Sequence, residues 1–327
     1  MDSSPPGPAV SGPRYWAAHS VFFRRELGRI LGPASLKSVH ALTPWRHVAV
    51  AVFLTALTGA LGWALLHLTG PLLWMPLSLL MGLALFDFTV LLHEAIHGLV
   101  WPGAAARRHA LLAALYAAPT GISPTQFKRW HLDHHTELGS DVRDPKRHRL
   151  SPRRNARWLK LLYFTPALFF IYFRAAAREA AAYPPDVRST IGRERILTLL
   201  LHGTAAAGIC AAWGGAALLR LYLVPYFVGF PLAFGLNRMG QHYAIDPADP
   251  ARWGTRIRKS LLWEAAFLWS GYHLEHHYYP GVPFYRLRRL NRLLTPFFLR
   301  RGIPERSYVW LAWQYLVKNS VPHTRWD

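Results

Sequence analysis

The chain has 327 residues, of which 52% are hydrophobic, and its 38 Lys and Arg residues outnumber its 17 Asp and Glu residues. The apolar residues are gathered in long runs instead of recurring at helical or strand period, which argues against a soluble globular protein. Cys210 is the single cysteine, so a disulfide framework and a thiolate metal site within one chain are excluded.

The first 46 residues form a basic segment that we expect to lie in the cytoplasm. Up to about residue 13 this segment is rich in Pro, Gly and Ser, a composition that predicts disorder. It lacks the basic stretch followed by an apolar stretch that marks a cleaved signal peptide, so we predict none.

Four apolar runs follow, and each is close to the roughly 20 residues that a helix needs to cross a bilayer. Gly70-Pro71 joins the first run to the second, and Gly214–Ala217 joins the third to the fourth. Connections this short make two helical hairpins. We therefore predict an all-α polytopic membrane protein with four transmembrane helices, at about residues 48–69, 72–92, 196–213 and 218–236.

The distribution of positive charge orients these hairpins. Of the 38 Lys and Arg residues, all except Arg220 lie outside the runs and their short connections. The positive-inside rule then puts both termini and the long middle segment in the cytoplasm. The net charge of +21 is explained by basic segments that lie against an anionic leaflet. Nucleic-acid binding is the weaker alternative, and we predict none, because no basic motif with interleaved aromatic residues stands out.

One further apolar segment, Trp158–Phe173, is short and interrupted by a proline. We interpret it as a helix in the membrane interface, with Lys160, Arg174 and Arg178 at the lipid headgroups. The overlapping basic stretch at residues 146–160 is best explained by a lipid surface. A phosphate headgroup, coenzyme A or an acidic electron donor are alternative partners for it.

Nine of the 17 histidines fall in four places, in the motifs HEAIH, HLDHH and HLEHH and at one isolated position after the fourth run. Residues three and four apart share one face of a helix, so each motif aims its imidazoles at a common point. Neutral imidazole is the commonest metal ligand in proteins, and nine exceed what one ion accepts. The pattern predicts a two-metal site in a cytoplasmic cap. Its predicted ligands and catalytic residues are His93, His97, His131, His134, His135, His242, His273, His276 and His277.

A single site requires all four places to lie on one side of the membrane. This requirement is the reason why Trp158–Phe173 is not expected to cross, and the same holds for Leu111–Ala118. If either segment crossed, the later histidines would emerge opposite the earlier ones.

Carboxylates near the motifs could hold the second nitrogen of a ligand imidazole and fix its tautomer. Glu94, Asp144 and Glu275 are such candidates, although an ordinary solvated or salt-bridged carboxylate explains each about equally well. Asp87 lies inside the second predicted span, where ionisable residues are expensive and usually functional. We expect it to support the metal cap or line the path of the substrate, with snorkelling to the interface as the alternative.

The sequences HEAIHG at 93–98, HLDHHTELGSDVRDP at 131–145 and HLEHHYYPGVPFYRL at 273–287 resemble the three histidine boxes of the integral-membrane fatty acid desaturase superfamily. The resemblance covers roughly residues 45–295. It implies a desaturase-like domain over residues 47–295, a cytoplasmic tail over 296–327, and two irons held by the nine histidines. In some members an Asn before the isolated His holds a metal through water. Asn237 is five residues before His242 instead of four, which makes it an indirect contributor at best.

The resemblance implies an oxygen-dependent di-iron enzyme that introduces a double bond into the acyl chain of a membrane lipid or fatty-acyl substrate. Because the chain carries no recognisable heme domain, we expect a separate electron donor of the ferredoxin or cytochrome b5 type. A lipid or carotenoid hydroxylase or ketolase of the same superfamily is the alternative.

A membrane metal carrier is a more distant alternative, because its ligands would lie near mid-membrane along a path. The nine histidines are expected outside the spans. His67 and His202 do lie in predicted spans, but they are isolated and are expected to be packing or hydrogen-bonded residues.

Overall fold

The computed structural model describes residues 15–324, and this part of the chain is all-helical apart from one isolated β-bridge between Ile257 and Arg306. The disorder expected up to residue 13 lies outside the described residues. The α-helices are α1 Tyr15–His40, α2 Pro44–His67, α3 Pro71–Ile96, α4 Ala106–Ala117, α5 Pro124–Glu137, α6 Arg157–Leu161, α7 Ala167–Ala180, α8 Pro185–Leu218, α9 Phe230–His242, α10 Leu261–Ala266, α11 His273–Tyr278, α12 Phe284–Arg300 and α13 Tyr308–Ala312.

Three helical stretches within residues 15–324 are long and apolar enough to cross a membrane. Two of them are α2 and α3, which correspond to the first two predicted runs. The third is the continuous stretch Pro185–His242. Helix α3 continues past Leu92 to Ile96, so His93 belongs to its last turn. The helix therefore extends beyond its apolar run, and the expectation that all nine histidines lie outside the membrane stays a prediction.

The stretch Pro185–His242 is not one straight rod. Gly214 interrupts it with non-helical dihedral angles, φ 81° and ψ 176°. His202 lies within hydrogen-bonding distance of the Tyr222 hydroxyl, at 2.8 Å, and its ring centroid is 5.2 Å from that of Tyr226. On a straight helix His202 and Tyr222 would lie about 30 Å apart. The chain therefore reverses direction near Gly214, and two antiparallel arms follow residues 196–213 and 218–236.

Helix α6 and the turn after it bend by 95° into α7, and the pair together is apolar enough to be a broken span or a re-entrant loop. Lys160 in α6 is fully buried. Its Nζ donates to the carbonyl of Tyr315 at 3.1 Å and lies 4.7 Å from the centroid of the Tyr315 ring. The prediction of Lys160 at a headgroup is wrong, because C-terminal residues cover it.

Both ends of the described chain pack into the same fold as the predicted membrane domain. Phe23 and Leu27 of α1 are buried against α12, and Glu26 of α1 pairs with Arg301 at 2.8 Å. At the other end, Asn155 and Asn319 exchange hydrogen bonds of 2.7 and 3.0 Å between side-chain amides and backbone carbonyls. The segment over residues 313–324 is thereby fastened along the loop that leads into α6.

The two largest of the four apolar clusters in the described part of the chain lie beneath the outer faces of the long helices. One joins α1, α3, α11 and α12, and the other joins α3, α9, α10 and α13. The opposite faces of α2 and α8 expose large apolar side chains such as Phe53, Trp63, Leu197 and Leu199. In water this exposure would be unfavourable, whereas in a bilayer it gives the helices a lipid-facing surface.

Candidate metal centre

The motif helices end or begin at the same place in the fold. Helix α5 starts with Pro124 after Ser123, whose hydroxyl accepts from the backbone N–H of Gln126 at 3.1 Å. This cap and the helix-favouring proline fix the register of the HLDHH motif. The C-terminal ends of α3 and α9 and the short helix α11 supply the remaining predicted ligands.

The nine predicted histidines come together in two groups, and in each group the nitrogens lie within 4.8 Å of one another. The five-membered group, called here the outer group, contains His93, His97, His131, His135 and His276. The four-membered group, called the buried group, contains His134, His242, His273 and His277, all of which are buried.

The spacing within each HxxHH motif distributes its rings between the groups. In α5 the i,i+4 pair His131 and His135 faces the outer group, and His134 faces the buried group. In α11 the i,i+4 pair His273 and His277 faces the buried group, and His276 faces the outer group. The groups adjoin, because the ring centroids of His135 and His277 are 4.4 Å apart.

The protonation of two rings in the buried group tests whether a cation fits there. His242 donates through Nδ1 to the carbonyl of Trp253, and His134 donates through Nδ1 to Asp144, each at 2.8 Å. Burial lowers the pKa of His134 although Asp144 raises it, so the ring is neutral and its Nε2 carries a lone pair. The Nε2 atoms of His134 and His242 are 3.0 Å apart. Two lone pairs at this distance repel, and an electropositive ion held by both removes the repulsion.

The same convergence through Nε2 recurs around both groups. In the buried group His273 lies 3.0 Å from both His242 and His277. In the outer group Nε2 of His276 lies 3.0 Å from that of His93 and 3.0 Å from that of His135. Each group can thus offer several imidazole nitrogens to one metal ion, and neither includes a carboxylate.

Two of the predicted supporting carboxylates contact these rings. Asp144 accepts from His134 and also from the backbone N–H of Lys146 at 3.0 Å. One oxygen of Glu94 is 3.3 Å from Nδ1 of His93, and the other accepts from the N–H of Phe284 at 3.0 Å. Such contacts orient a ligand ring and fix its tautomer.

The other three supporting candidates form no hydrogen bond with the nine rings within residues 15–324. Glu275 accepts from Asn291 at 2.5 Å, and burial raises the pKa of this carboxyl to about 7. Asn237 donates to Ser270 at 2.6 Å, and Asp87 is buried with one oxygen unpartnered among the described residues. Glu275 is two residues from His273, a separation that puts the two side chains on different helical faces. Asn237 and Asp87 are five and six residues from the nearest predicted ligand, and their supporting roles stay predictions.

A cavity of about 140 Å³ borders both groups of imidazoles. It is otherwise mostly apolar, and Lys146 and Arg238 are the two non-histidine cations on its wall. Burial lowers the pKa of Lys146 to about 8, with Arg238 lowering it further and Asp144 raising it. The apolar side chains on the wall include Phe86, Phe127, Trp130, Phe234, Phe284 and Leu287.

Sequence reasoning missed three participants in this site. The carbonyl of Trp253 is a backbone atom, so its bond to His242 leaves no residue-type signal. Lys146 was grouped with a basic stretch assigned to the lipid surface, and Arg238 was counted only as a positive charge. Arg238 lies two residues after an apolar run, and this position was the available signal. A charged side chain beside a membrane span is energetically costly and is often functional.

A family model for fatty acid desaturases matches residues 69–309. The chain belongs to the fatty acid desaturase family. Its relatives include the sphingolipid delta(4)-desaturase/C4-monooxygenase DES2 of Homo sapiens, which is 26% identical over 251 residues, or 73% of this chain and 71% of the human protein. The DES2 protein of Mus musculus is 26% identical over 255 residues, with the same two shares.

A more distant relative, the sphingolipid delta(4)-desaturase DES1 of Drosophila melanogaster, is 25% identical over 213 residues, which are 63% of this chain and 61% of the fly protein. This family membership makes the chain an oxidoreductase of the desaturase type, which introduces a double bond into a lipid. It agrees with the family that the histidine motifs indicate.

Proposed function

We propose that the chain is an oxygen-dependent di-iron desaturase in which the nine clustered histidines hold the two metal ions. The observation that carries this proposal is the pair of imidazole groups on the wall of one mostly apolar cavity. A lipid chain in that cavity has its methylenes beside both groups. The two groups supply the ligands for two ions without using any other residue type.

The choice of iron rests on chemistry and on the family. Imidazole ligands also suit zinc and copper, but zinc does not change valence and a desaturase needs a redox metal. When bound, the metal pair would supply reductive activation of O2 and abstraction of hydrogen from an unactivated C–H bond. Overall, two hydrogens leave the substrate, and O2 takes them up with two electrons and two protons to give two waters. We propose a separate ferredoxin or cytochrome b5 type protein as the electron source.

Residues around the histidines fix the tautomers of two rings and exclude water from the cavity. Asp144 and the Trp253 carbonyl keep the proton on Nδ1 of their rings, so that Nε2 faces the ion. Phe86, Phe127 and Phe234 exclude water from the space beside the rings and hold an alkyl chain there. Water exclusion matters because it protects a reactive centre from side reactions.

We propose that four segments cross the membrane: α2, α3 and the two arms of Pro185–His242. The reversal near Gly214 supports this count, as does the distribution of Lys and Arg for cytoplasmic termini and a cytoplasmic metal site. The bent pair formed by α6 and α7 then stays on the cytoplasmic side. We retain residues 47–295 as the catalytic domain, with residues 1–46 and 296–327 as flanking cytoplasmic segments.

A sphingolipid is the substrate class that the relatives favour, because their names describe sphingolipid desaturation. The name desaturase/C4-monooxygenase also makes hydroxylation a second candidate outcome. Both reactions begin by removing the same hydrogen. Hydroxylation or ketolation of a carotenoid remains a further alternative, while a metal carrier is disfavoured because both imidazole groups lie at helix ends.

The test compares the lipids of a host that expresses the wild type, His276→Ala or the control His67→Ala, together with a suitable electron donor. His67 is exposed, and within residues 15–324 its one hydrogen bond is to the carbonyl of Trp63, at 2.7 Å. We expect the wild type and the control to form a lipid that is lighter by two hydrogens, and His276→Ala to form none. A product heavier by one oxygen would favour the hydroxylase. Unchanged lipids and carotenoids in all three strains would contradict the proposal.

A further inference from the structure

Two cationic side chains, Lys146 and Arg238, lie on the wall of the cavity beside the imidazoles. Arg238 is buried, its guanidinium lies 4.8 Å from the centroid of the Tyr163 ring, and within residues 15–324 it donates to three neutral acceptors. These are Nδ1 of His323 at 3.4 Å, the carbonyl of Leu150 at 3.3 Å and the hydroxyl of Ser151 at 3.3 Å. Thr324 links the two cations, because it donates to the carbonyl of Lys146 and to the same Ser151 hydroxyl. All three acceptors of Arg238 are long hydrogen-bond partners, and none carries a negative charge.

Within residues 15–324 neither cation has a carboxylate at ion-pairing distance, although Asp144 lies near enough to raise the pKa of Lys146. Their side-chain nitrogens form no ion pair with any described Asp or Glu. Among the lining residues Glu94 is the one carboxylate, and it is already bonded to an imidazole and a backbone N–H. A buried cation without a counterion is costly. Divalent ions bound by neutral imidazoles would add further positive charge to the same space.

We infer that Lys146 and Arg238 form an anion subsite, which holds an anionic headgroup, a phosphate or a carboxylate, of the lipid substrate. The inference rests on the proposed function in one respect, namely that a lipid substrate occupies the cavity. The guanidinium has a planar fork of donors that matches two oxygens of such a group, and the ammonium adds a point charge. The basic stretch at residues 146–160 thus begins with a residue that faces the substrate.

The subsite also restricts where the chain of the lipid is attacked. Lys146, Arg238 and both imidazole groups border one cavity of about 140 Å³. A headgroup bound at the cations therefore lies beside the metal ligands, and only carbons near the headgroup reach them. The new double bond is expected within the first few carbons from the anionic group.

The test measures lipid binding to the full chain in nanodiscs, without an electron donor, so that no turnover occurs. The probes are two pairs with matched chains: sphinganine 1-phosphate against sphinganine, and octadecanoate against octadecanol. The variants are Lys146→Met and Arg238→Gln, with Arg238→Lys as a charge-preserving variant. Arg154→Gln is the control, because Arg154 is exposed on the same basic stretch.

The wild type should prefer the anionic member of at least one pair by about tenfold or more. Lys146→Met and Arg238→Gln should each reduce that preference by about tenfold, the strength of a charge-assisted hydrogen bond. Arg238→Lys and the control should keep most of it. The pair that shows the preference identifies the headgroup as phosphate or carboxylate. Equal binding of both members in both pairs, or an equal loss in Arg154→Gln, would overturn the inference.

Binding and turnover separate this inference from the proposed function. Headgroup preference without any oxidised lipid in the expression test would refute the desaturase and leave the subsite standing. A desaturated product without headgroup preference would support the desaturase and refute the subsite. Fragmentation of the product by mass spectrometry adds a second readout, and a double bond far from the anionic group would contradict the subsite.

Discussion

The two imidazole groups differ in how firmly the protein holds them. All four rings of the buried group are buried, and two of them donate through Nδ1 at 2.8 Å, to Asp144 and to the Trp253 carbonyl. In the outer group three of the five rings are partly exposed. Its one anchoring contact to a carboxylate within residues 15–324 is the 3.3 Å approach of Glu94 to His93.

This difference predicts that the two proposed metal positions differ in affinity and in rate of metal exchange. Rings fixed by strong hydrogen bonds lose little freedom when an ion binds, so the buried group should bind its metal more tightly. Rings of the outer group are held by fewer contacts, and its fifth member should let it retain a metal ion, although not activity, after the loss of one ligand. The outer group should therefore exchange its metal more readily.

Removing a ligand should have the largest effect and should separate the groups. His277→Ala leaves the buried group with three rings, whereas His97→Ala leaves the outer group with four. We expect both variants to lose detectable product formation, and His277→Ala to retain less iron per chain by elemental analysis. Equal iron contents in the two variants would show that the groups are held alike.

Asp144→Asn should weaken iron binding by about ten- to a hundredfold, the usual cost of disturbing a partner of a metal-bound imidazole. The amide keeps a hydrogen-bond acceptor for His134 but removes the negative charge. Asp141→Asn is the matched control, because Asp141 lies nearby and is exposed. Chelator competition measures both affinities, and similar values for the two variants would contradict the anchoring role of Asp144.

Gly139→Ala should disturb the buried group indirectly, by displacing a residue that packs beside it. Gly139 has φ +90°, and a Cβ there would collide with the ring of Trp253, whose carbonyl holds His242. We expect the collision to lower the free energy of unfolding by about 1–3 kcal/mol beyond the backbone cost of a positive φ, together with weaker iron binding. The control is Gly103→Ala, at φ +63° with open space around the added carbon. It should show only the backbone cost of about 1–2 kcal/mol, with normal iron content.

Glu94→Gln should have the smallest effect, a reduction of a few-fold in iron affinity. The contact with His93 is long, and the amide oxygen of Gln can still accept from the N–H of Phe284. Chelator competition again provides the measurement. A reduction as large as that of Asp144→Asn would remove the distinction between the two groups.

The sequence was sufficient for the features that depend on spacing along a helix. The HxxHH motifs predicted that α5 and α11 would aim several rings at common points, and the structure confirms the convergence of all nine. The apolar runs predicted α2 and α3 within a few residues at each end.

Features that depend on distant parts of the chain could not be predicted in the same way. Composition places Lys160 at the membrane surface, but Tyr315 and its neighbours cover it. Proximity in sequence made Glu275 a plausible partner for the imidazoles beside it, yet the helix turns its carboxylate towards Asn291. The burial of Lys160 and the direction of Glu275 depend on which helices pack together. Residue types and spacing in a single sequence do not determine that packing.

The fastening of residues 313–324 along the loop before α6 has a consequence for biosynthesis. His323 and Thr324 contribute to the wall of the cavity, next to Arg238 and Lys146. These residues leave the ribosome after every helix that carries an imidazole. The helices that carry the histidines are therefore synthesised before the part of the cavity wall beside Arg238 and Lys146 is complete.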